Sequence, residues 1–400
     1  MTATIPTTHQ DVRLNPGPEF DALMERIDTI LPLLDESGEQ NEAQRALTDD
    51  VVQALHETGV FRIGIPEALG GYELTPRQTI EVLEKVSYAD PSTGWVLMAL
   101  QMITGTTAAY LPEETQNELF ADGNYPLVAG QGTREGAAVR VDGGYRVTGR
   151  WGFGSGMQLA THIHSAAYDA ENDRHIVVTH PKEQATLIDN WDVMGLRATG
   201  SIDYTVEDLF VPEAYVYEPT TTAPLAGGAV YRLGLANMSG ICHTGWALGI
   251  GRRVLDEMKT LAQKKHGAPG AAVDTDHFHA EYARAEAQLR SARAWVMEVW
   301  ADNEATIDAG DLLDTQQETL TRLMLNNTTW TAHEVGNIAH LWSATAMARR
   351  GRLQQLFRDL NVGTGHITSG PVVMQACGKY LAGLAPEAFW AFITLIEPGK

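Results

Sequence analysis

Three textures follow one another along the chain. In EFDALMERIDTILPLLDES the apolar residues recur at three- and four-residue intervals, which predicts a helix with Leu23, Ile27, Ile30 and Leu34 near one face. TDDVVQALHETG predicts a second helix, with Thr48 as the cap candidate and Gly59 as the stop. LPEETQNELF predicts a third, with Pro112 in a first-turn position where its missing N–H costs little. From about Pro126 the period drops to two. In AAVRVDGGYRVTGRW, Val139 and Val141, then Tyr145 and Val147, alternate around Asp142-Gly143-Gly144. Alternation on both sides of residues that tolerate positive φ predicts a hairpin. HIHSAAYD, RHIVVTHP, ATLIDNW and SIDYTVEDLFVP continue as short strands, so a β-barrel or sandwich is expected, ending near Pro212. A Thr/Pro/Gly linker, Tyr217–Tyr231, separates it from three long helical stretches that predict an antiparallel bundle. The expected fold class is α+β: an N-terminal helical domain over 1–125, a central β domain over 126–216 and a C-terminal four-helix-bundle domain over 217–400.

Composition narrows the class. A chain of 400 residues suggests two or three packed domains, and 44% hydrophobic residues suffice for sizeable cores. WVLMAL and FWAFITLIE are far short of the roughly 20 apolar residues of a membrane helix. The opening MTATIPTTHQDVRLNPGPEF has no basic region followed by an apolar run, so no signal peptide is expected. Two cysteines, Cys242 and Cys377, argue against a disulfide framework and for a reduced cytoplasm. The formal net charge of −22 would repel a phosphate backbone, which sets nucleic acid aside as a partner; the plain role of the acidic surface is solubility.

The candidate chemistry centres on FRDLNVGTGHITSG, Phe357–Gly370, where His366 alone titrates near neutrality, among Gly363, Gly365 and Gly370. By itself this imidazole reads first as a cap on a helix C-terminus. His162 with His164, and His277 with His279, invite a metal reading, but no carboxylate or cysteine completes a set at ligand spacing. His333 and His340 share a helix face, with packing the default and a pocket role the alternative. Trp246, Trp295, Trp300, Trp330 and Trp342 read as core, a minority being available to stack on a flat substrate. No GxGxxG follows a strand, so a Rossmann site is not supported.

Five motifs in order carry a resemblance. FRIGIPEALGGYELT is similar to the Pro-Glu…Gly-Gly segment of acyl-CoA dehydrogenases. ADPSTGWVLMAL is similar to the Ser-Thr-Gly-Trp segment of their two-component flavin-dependent monooxygenase relatives, the aromatic or phenol hydroxylases. VDGGYRVTGRWGFGSG and WDVMGLRATGSIDYTVEDLFVP resemble the β domain of that group. SATAMARRGRLQQLFRDLNVGTGH resembles its C-terminal signature, a His seven residues after Arg-Asp. The resemblance spans about residues 20–395. It implies the acyl-CoA dehydrogenase fold, a homotetramer formed through the C-terminal helices, and a flavin.

Within that fold, dehydrogenases need a desolvated carboxylate to take an α-proton. RDLNVGTGHITSG has no acid after Asp359, and YRLGLANMSGICHTGW, Tyr231–Trp246, has none at all. Both family positions for the base are empty. The monooxygenase branch therefore fits better. The resemblance implies reduced flavin (FADH2 or FMNH2) delivered by a partner flavin reductase, O2, and hydroxylation or N-oxygenation of a small cyclic substrate through a C4a-hydroperoxyflavin. His366 would donate to the peroxide or take a phenol proton, and Ser155 would reach flavin N5. Trp151 and Phe153 would wall the ring, and Gln131 would meet its pyrimidine edge. Arg197 would anchor the flavin beside Thr199 and Ser201, or serve only as an ion-pair partner. Two departures are visible. Gln101 stands where many relatives carry a second His, and QKKHGAPGAAVDTDHFHAEY keeps the adenine-holding segment of the dehydrogenases only in loosened form, which favours a transiently bound flavin. The rival readings are a dehydrogenase-like oxidoreductase with an unrecognised base and a non-catalytic flavin-binding relative.

Overall fold

The computed structural model describes residues 17–398; most of the opening segment read for a signal peptide lies outside them. α1 (Pro18–Gln44) buries Phe20, Leu23, Ile27, Leu31 and Leu34. Leu31 takes the place expected for Ile30, which is only half-buried, because the stripe steps by four at that turn. α2 (Asp49–Thr58) starts after Thr48 and stops at Gly59, which sits at φ 79°. α3 (Pro76–Ala89) opens with a reciprocal capping box between Thr75 and Gln78. α4 (Pro91–Tyr110) is capped by Asp90, whose Oδ2 accepts from the Thr93 N–H at 2.9 Å and the Thr93 hydroxyl at 2.8 Å. Nearly every α4 residue is buried, since α3, α6 and β1 all pack against it. A Cβ on Gly94 would overlap Ser87, so the glycine of the Ser-Thr-Gly-Trp segment serves the close approach of α4 to α3. α5 (Glu113–Leu119) follows Pro112, which occupies the cap position one residue outside the helix.

β1 (Val128–Val141) and β2 (Gly144–Gly154) form the expected hairpin, pairing Val141 with Gly144 across a turn in which Gly143 has φ 78°. β3 (His162–Asp169), β4 (Arg174–Pro181), β5 (Thr186–Ile188), β6 (Ile202–Pro212) and β7 (Val216–Tyr217) complete one seven-stranded sheet of order β5-β6-β2-β1-β3-β4-β7. All its pairs are antiparallel except β1 with β3. Register shifts in β1 between Gln131 and Gly136, and in β2 between Trp151 and Gly154, bend the sheet.

α6 (Gly234–Lys265), α7 (Asp276–Asp308) and α8 (Thr315–Ser343) are the long helices of the C-terminal half. α9 (Arg352–Gly363), α10 (Pro371–Leu381) and the short hairpin β8 (Phe389–Ala391) with β9 (Thr394–Ile396) close the chain. One continuous core runs from Leu23 of α1 through Leu97 of α4 and Trp151 of β2 to Trp246 of α6 and Leu360 of α9. The sheet, α4, α6 and the α9–α10 turn are thereby held against one another. Among the described residues no helix is long and apolar enough to cross a membrane.

Candidate active site

A cavity of about 490 Å³ opens where these four parts meet. α4 contributes Trp95, Met98 and Met102; the sheet contributes Gln131, Thr133, Phe153, Ser155 and His164. The loop before β6 adds Trp191, Leu196, Thr199 and Ser201, α6 adds Ser239, Cys242 and His243, and the α9–α10 turn adds His366 and Thr368. Among the described residues, no Asp, Glu, Lys or Arg lines it.

One wall is a ladder of hydroxyls. Trp95 Nε1 donates to Ser155 Oγ at 3.1 Å. Ser155 Oγ lies 2.7 Å from Ser201 Oγ, and Ser201 Oγ lies 2.6 Å from Thr199 Oγ1. Thr199 Oγ1 donates to the Leu196 carbonyl at 2.8 Å. The two ends fix the direction of the chain. An indole N–H only donates and a carbonyl only accepts, so each hydroxyl passes its single proton toward Leu196. Ser155 thus receives from Trp95, donates to Ser201, and keeps one lone pair but no proton for a ligand.

The facing wall is a pair of imidazoles. The His243 and His366 rings stack with centroids 3.9 Å apart and planes 27° apart. Trp95 meets both edge-on, at 5.3 and 6.0 Å, so it touches both walls. His243 Nδ1 lies 2.8 Å from the Ser239 carbonyl, which can only accept, so Nδ1 carries the proton and Nε2 the lone pair. That Nε2 is buried and has no hydrogen-bond partner among the described residues. His366 has the opposite tautomer. The Thr368 N–H points at its Nδ1 at 3.4 Å, with the Thr368 hydroxyl at 2.8 Å, which makes Nδ1 an acceptor and Nε2 the N–H. Burial pushes His243 down to about 4, the Ser239 carbonyl opposing. It pushes His366 well below its ordinary value, with His243 adding to the effect. Both rings are therefore neutral at pH 7.

His243 was not singled out in the sequence. It sits in a helical run searched for acids, and the one signal available was an imidazole three residues before Trp246. It supplies the second imidazole that Gln101 cannot. The Gln101 amide turns away to donate to Cys242 Sγ at 2.9 Å and does not line the cavity.

Of the residues expected here, His366, Ser155, Gln131, Phe153, Thr199 and Ser201 line the cavity. Gln131 Oε1 accepts from the Thr133 N–H at 2.7 Å and its hydroxyl at 2.6 Å, which leaves the amide NH2 as a donor on the wall. Phe153 is 70% exposed with φ 62°, a left-handed conformation that is rare for a bulky residue and marks stored strain. Trp151 is a correction; Arg197, left open between anchor and ion-pair partner, does not line the cavity. Trp151 is fully buried within the bent sheet, stacked on Tyr204 at 5.3 Å and donating to the Ala166 carbonyl at 2.9 Å. Arg197 turns to the other face of its loop, donating to the Val193 carbonyl at 2.8 Å with Asp192 at 3.6 Å. Gly363 makes room for the Trp246 ring, so it serves packing of α9 on α6. His333 meets Asn361 at 3.2 Å and His340 stacks on Phe357 at 4.8 Å; neither lines the cavity.

The Arg-Asp pair before His366 holds the ladder in place. Asp359 Oδ1 accepts from the Leu196 N–H at 2.5 Å, and Arg358 donates to the Met194 carbonyl at 2.7 Å while pairing with Glu42. Burial pushes the Asp359 carboxyl up to about 7, opposed by the Leu196 N–H, and the charge of Asp90 adds to the rise. Any side chain at Gly195 would collide with the Arg358 carbonyl, so this clamp requires glycine there.

Two family descriptions match the chain: the acyl-CoA dehydrogenase N-terminal domain over residues 28–122 and the acyl-CoA dehydrogenase C-terminal domain over residues 241–370. The indole-3-acetate monooxygenase of Pseudomonas putida is 30% identical over 385 residues, covering 92% of this chain and 95% of that one. The flavin-dependent monooxygenase oxygenase subunit HsaA of Rhodococcus jostii is 27% identical over 376 residues, 89% of this chain and 98% of that one. Among solved structures, the 3-HSA hydroxylase from Rhodococcus sp. RHA1 superposes with a TM-score of 0.86 at 26% identity, over 93% of this chain and 99% of that one.

Proposed function

This chain belongs to the acyl-CoA dehydrogenase family, in its branch of flavin-dependent monooxygenases, and from that premise we propose that the cavity is where reduced flavin and a small aromatic or other cyclic substrate meet. The observation that carries the reading is the chemistry of the lining. Among the described residues no carboxylate borders the cavity, so an α-proton has no base of the dehydrogenase kind there, while two neutral imidazoles face a hydroxyl ladder. The residues present fit a reduced flavin. Ser155 has a lone pair and no proton to offer, which suits an N–H donor, and reduced flavin carries such an N–H at N5 where oxidised flavin carries none.

Gln131, Phe153, Ser155, Thr199 and Ser201 would hold the ring system. When bound, reduced flavin supplies the two electrons that divide O2 between substrate and water. The chain's own part is to exclude water, to receive an N–H at Ser155 Oγ, and to present the His366 Nε2–H as a donor where negative charge develops on oxygen. Phe153 and Trp191, edge to face at 6.0 Å, screen one side of the cavity from solvent. We place the chain as the oxygenase of a two-component system served by a separate flavin reductase, taking FADH2 or FMNH2. We read it as a cytoplasmic homotetramer, a reading supported by apolar Val372, Leu384 and Phe389, which stand 71, 70 and 49% exposed near the C-terminus.

The test supplies the protein with an unrelated NADH-driven flavin reductase, FAD or FMN, O2 and a panel of cyclic substrates, reading oxygenated product by mass spectrometry and hydrogen peroxide in parallel. Product carrying one oxygen atom from labelled O2 is expected. Protein that purifies with tightly held oxidised FAD and is bleached by acyl-CoA thioesters would overturn the assignment.

A further inference from the structure

The C-terminal hairpin borders the cavity without belonging to the core. No residue of 389–396 is buried. Its two-residue turn, Phe392-Ile393, lies between the paired Ala391 and Thr394, and both turn residues line the cavity. Phe392 has φ 56° at the first central position of this tight turn, where glycine is the favoured residue. Among the described residues three apolar side chains stand at positive φ, Phe153, Leu196 and Phe392, and all three line the cavity. Strain of this kind persists only where the surroundings over-determine it. Arg322 of α8 supplies that constraint. It is 8% exposed, donates to the Phe392 carbonyl, pairs with Glu318, and holds its guanidinium 4.5 Å from the centre of the Trp390 ring. Trp390 Nε1 in turn donates to Thr319 Oγ1 at 2.8 Å. The tip lies on the His366 side of the cavity. Ile393 borders a small adjoining cavity of about 20 Å³ together with Thr368, whose hydroxyl is 2.8 Å from His366 Nδ1. The groups read as holding the flavin, Gln131, Phe153, Ser155, Thr199 and Ser201, do not border it.

We propose that Phe392 and Ile393 are specificity-determining residues that limit how far a ring system beside His366 extends along the cavity, and that Arg322 is the positioning residue that holds them there. The proposal rests on the monooxygenase reading of the cavity. Interiors are close-packed, so a further fused ring on the substrate needs the volume that the Phe392 phenyl ring occupies. The two compete for one space. A glycine in the turn would adopt the same backbone without strain but would give that space up. A phenylalanine kept at φ 56° by a largely buried arginine serves the cavity, since the hairpin itself gains no core from it.

Equilibrium dialysis without turnover tests it. Under anaerobic conditions, with reduced flavin present, the full-length protein is dialysed against 2-naphthol and 2-anthrol, which differ by one fused ring. The quantity read is the ratio of the 2-anthrol to the 2-naphthol dissociation constant. Phe392→Gly, which suits the turn and so keeps the fold, should lower that ratio at least tenfold. Arg322→Met should lower it as well with Phe392 still present, because the tip loses its anchor. Arg322→Lys, whose ammonium can donate to the same carbonyl, should recover part of the parent ratio, which a general loss of stability would not allow. Ile396→Thr, on the exposed strand β9 and away from the turn, should leave the ratio unchanged. If Arg322→Met does not fold, Phe392→Gly decides the proposal alone. A ratio in Phe392→Gly within threefold of the parent, an equal fall in Ile396→Thr, or no binding of either probe up to its solubility would overturn the proposal. Arg322→Lys behaving as Arg322→Met would remove Arg322 from it. The monooxygenase reading fails separately: a shifted ratio with no oxygenated product from any substrate in the coupled assay sinks that reading alone, and product formation with an unshifted ratio sinks only the role of the hairpin tip.

Discussion

On the sheet side of the cavity every hydroxyl proton already has an acceptor, running from Trp95 through Ser155, Ser201 and Thr199 to the Leu196 carbonyl. On the helical side the imidazoles of His243 and His366 keep a lone pair and an N–H uncommitted. A chain of bonds with fixed direction is stiff and offers one defined contact, which suits holding. Groups with unspent hydrogen-bonding capacity suit a reacting partner whose charge changes. The difference follows from local structure. Ser201 and Thr199 lie in a loop clamped by Asp359, whereas His243 projects from a helix that satisfies only its Nδ1.

The comparison is broken most sharply at His366. If the helical wall reacts and the sheet wall holds, His366→Ala should lower oxygenated product by about 10² to 10⁴, the usual contribution of a general acid–base group. Binding of reduced flavin should stay within about threefold, since replacing one neutral side chain away from the ladder costs little there. Product yield and hydrogen peroxide per NADH measure the first, anaerobic titration the second. A variant that loses flavin binding and product together would place His366 on the holding side.

Acid sharpens the contrast. The folded-state pKa of His243 is depressed to about 4 from an ordinary value of 6.5, so the unfolded chain binds its proton first and stability falls as pH drops below 6.5. At pH 5 this one ring costs about 2 kcal/mol. His164 and His366 act in the same sense. Asp359, raised to about 7, acts in the opposite sense and is stabilising on acidification through that range. Removing one imidazole should therefore flatten the acid limb. Denaturant unfolding of His243→Phe, compared with the parent at pH 7.5 and 5, should show the gap moving in the variant's favour by about 2 kcal/mol. An unchanged gap would mean that His243 is charged in the folded protein.

What the sequence showed of this site follows the same division. Ser155, Thr199, Ser201 and Phe153 were legible because they lie inside contiguous motifs whose spacing survives folding. Trp151 was misplaced for a definite reason. Residues two apart on a strand share a face, so Trp151 and Phe153 looked equivalent, but the register shift after Trp151 and the positive φ at Phe153 send one into the sheet and the other to the cavity. Arg197 stayed open between two readings because a loop has no period to say which way a side chain turns. His243 was invisible because its meaning comes from α6 meeting the α9–α10 turn more than 120 residues later, with no local signal beyond one imidazole in an apolar helix. The helices and the hairpin needed only local pattern and capping residues, and they stand where those cues put them.

The holding side has its own test in Ser201. Ser201→Ala removes the acceptor for the Ser155 proton while leaving Ser155 in place. Ser155 would then have a proton to offer, and its preference for an N–H donor over a bare nitrogen should relax. The ratio of oxidised to reduced flavin dissociation constants should fall by about fivefold to tenfold, the worth of roughly one hydrogen bond of about 1 kcal/mol. Equal ratios in the variant and the parent would mean that the direction of the ladder is not what distinguishes the two redox states.

The smallest effect is expected where a carboxyl looks most like catalytic machinery. Asp359 is buried, has its carboxyl pushed up to about 7, and lies seven residues before His366, which together invite an acid–base role. Its contacts argue otherwise. Oδ1 accepts from the Leu196 N–H at 2.5 Å, Oδ2 has no partner, and neither oxygen borders the cavity. An amide oxygen serves that N–H as well as a carboxylate does and brings no buried charge near Asp90 and Glu42. Asp359→Asn should therefore keep oxygenation near the parent level. Its stability should lie within about 1 kcal/mol of the parent at pH 5, where the parent carboxyl is neutral, and should equal or exceed it at pH 8, where the parent is charged. Asp359→Ala should lose about 1 to 3 kcal/mol at both values, because the Leu196 N–H is left without an acceptor. If Asp359→Asn folds and binds reduced flavin normally but makes no product, the carboxyl itself takes part in proton transfer, and the line between a wall that holds and a wall that reacts has been drawn in the wrong place.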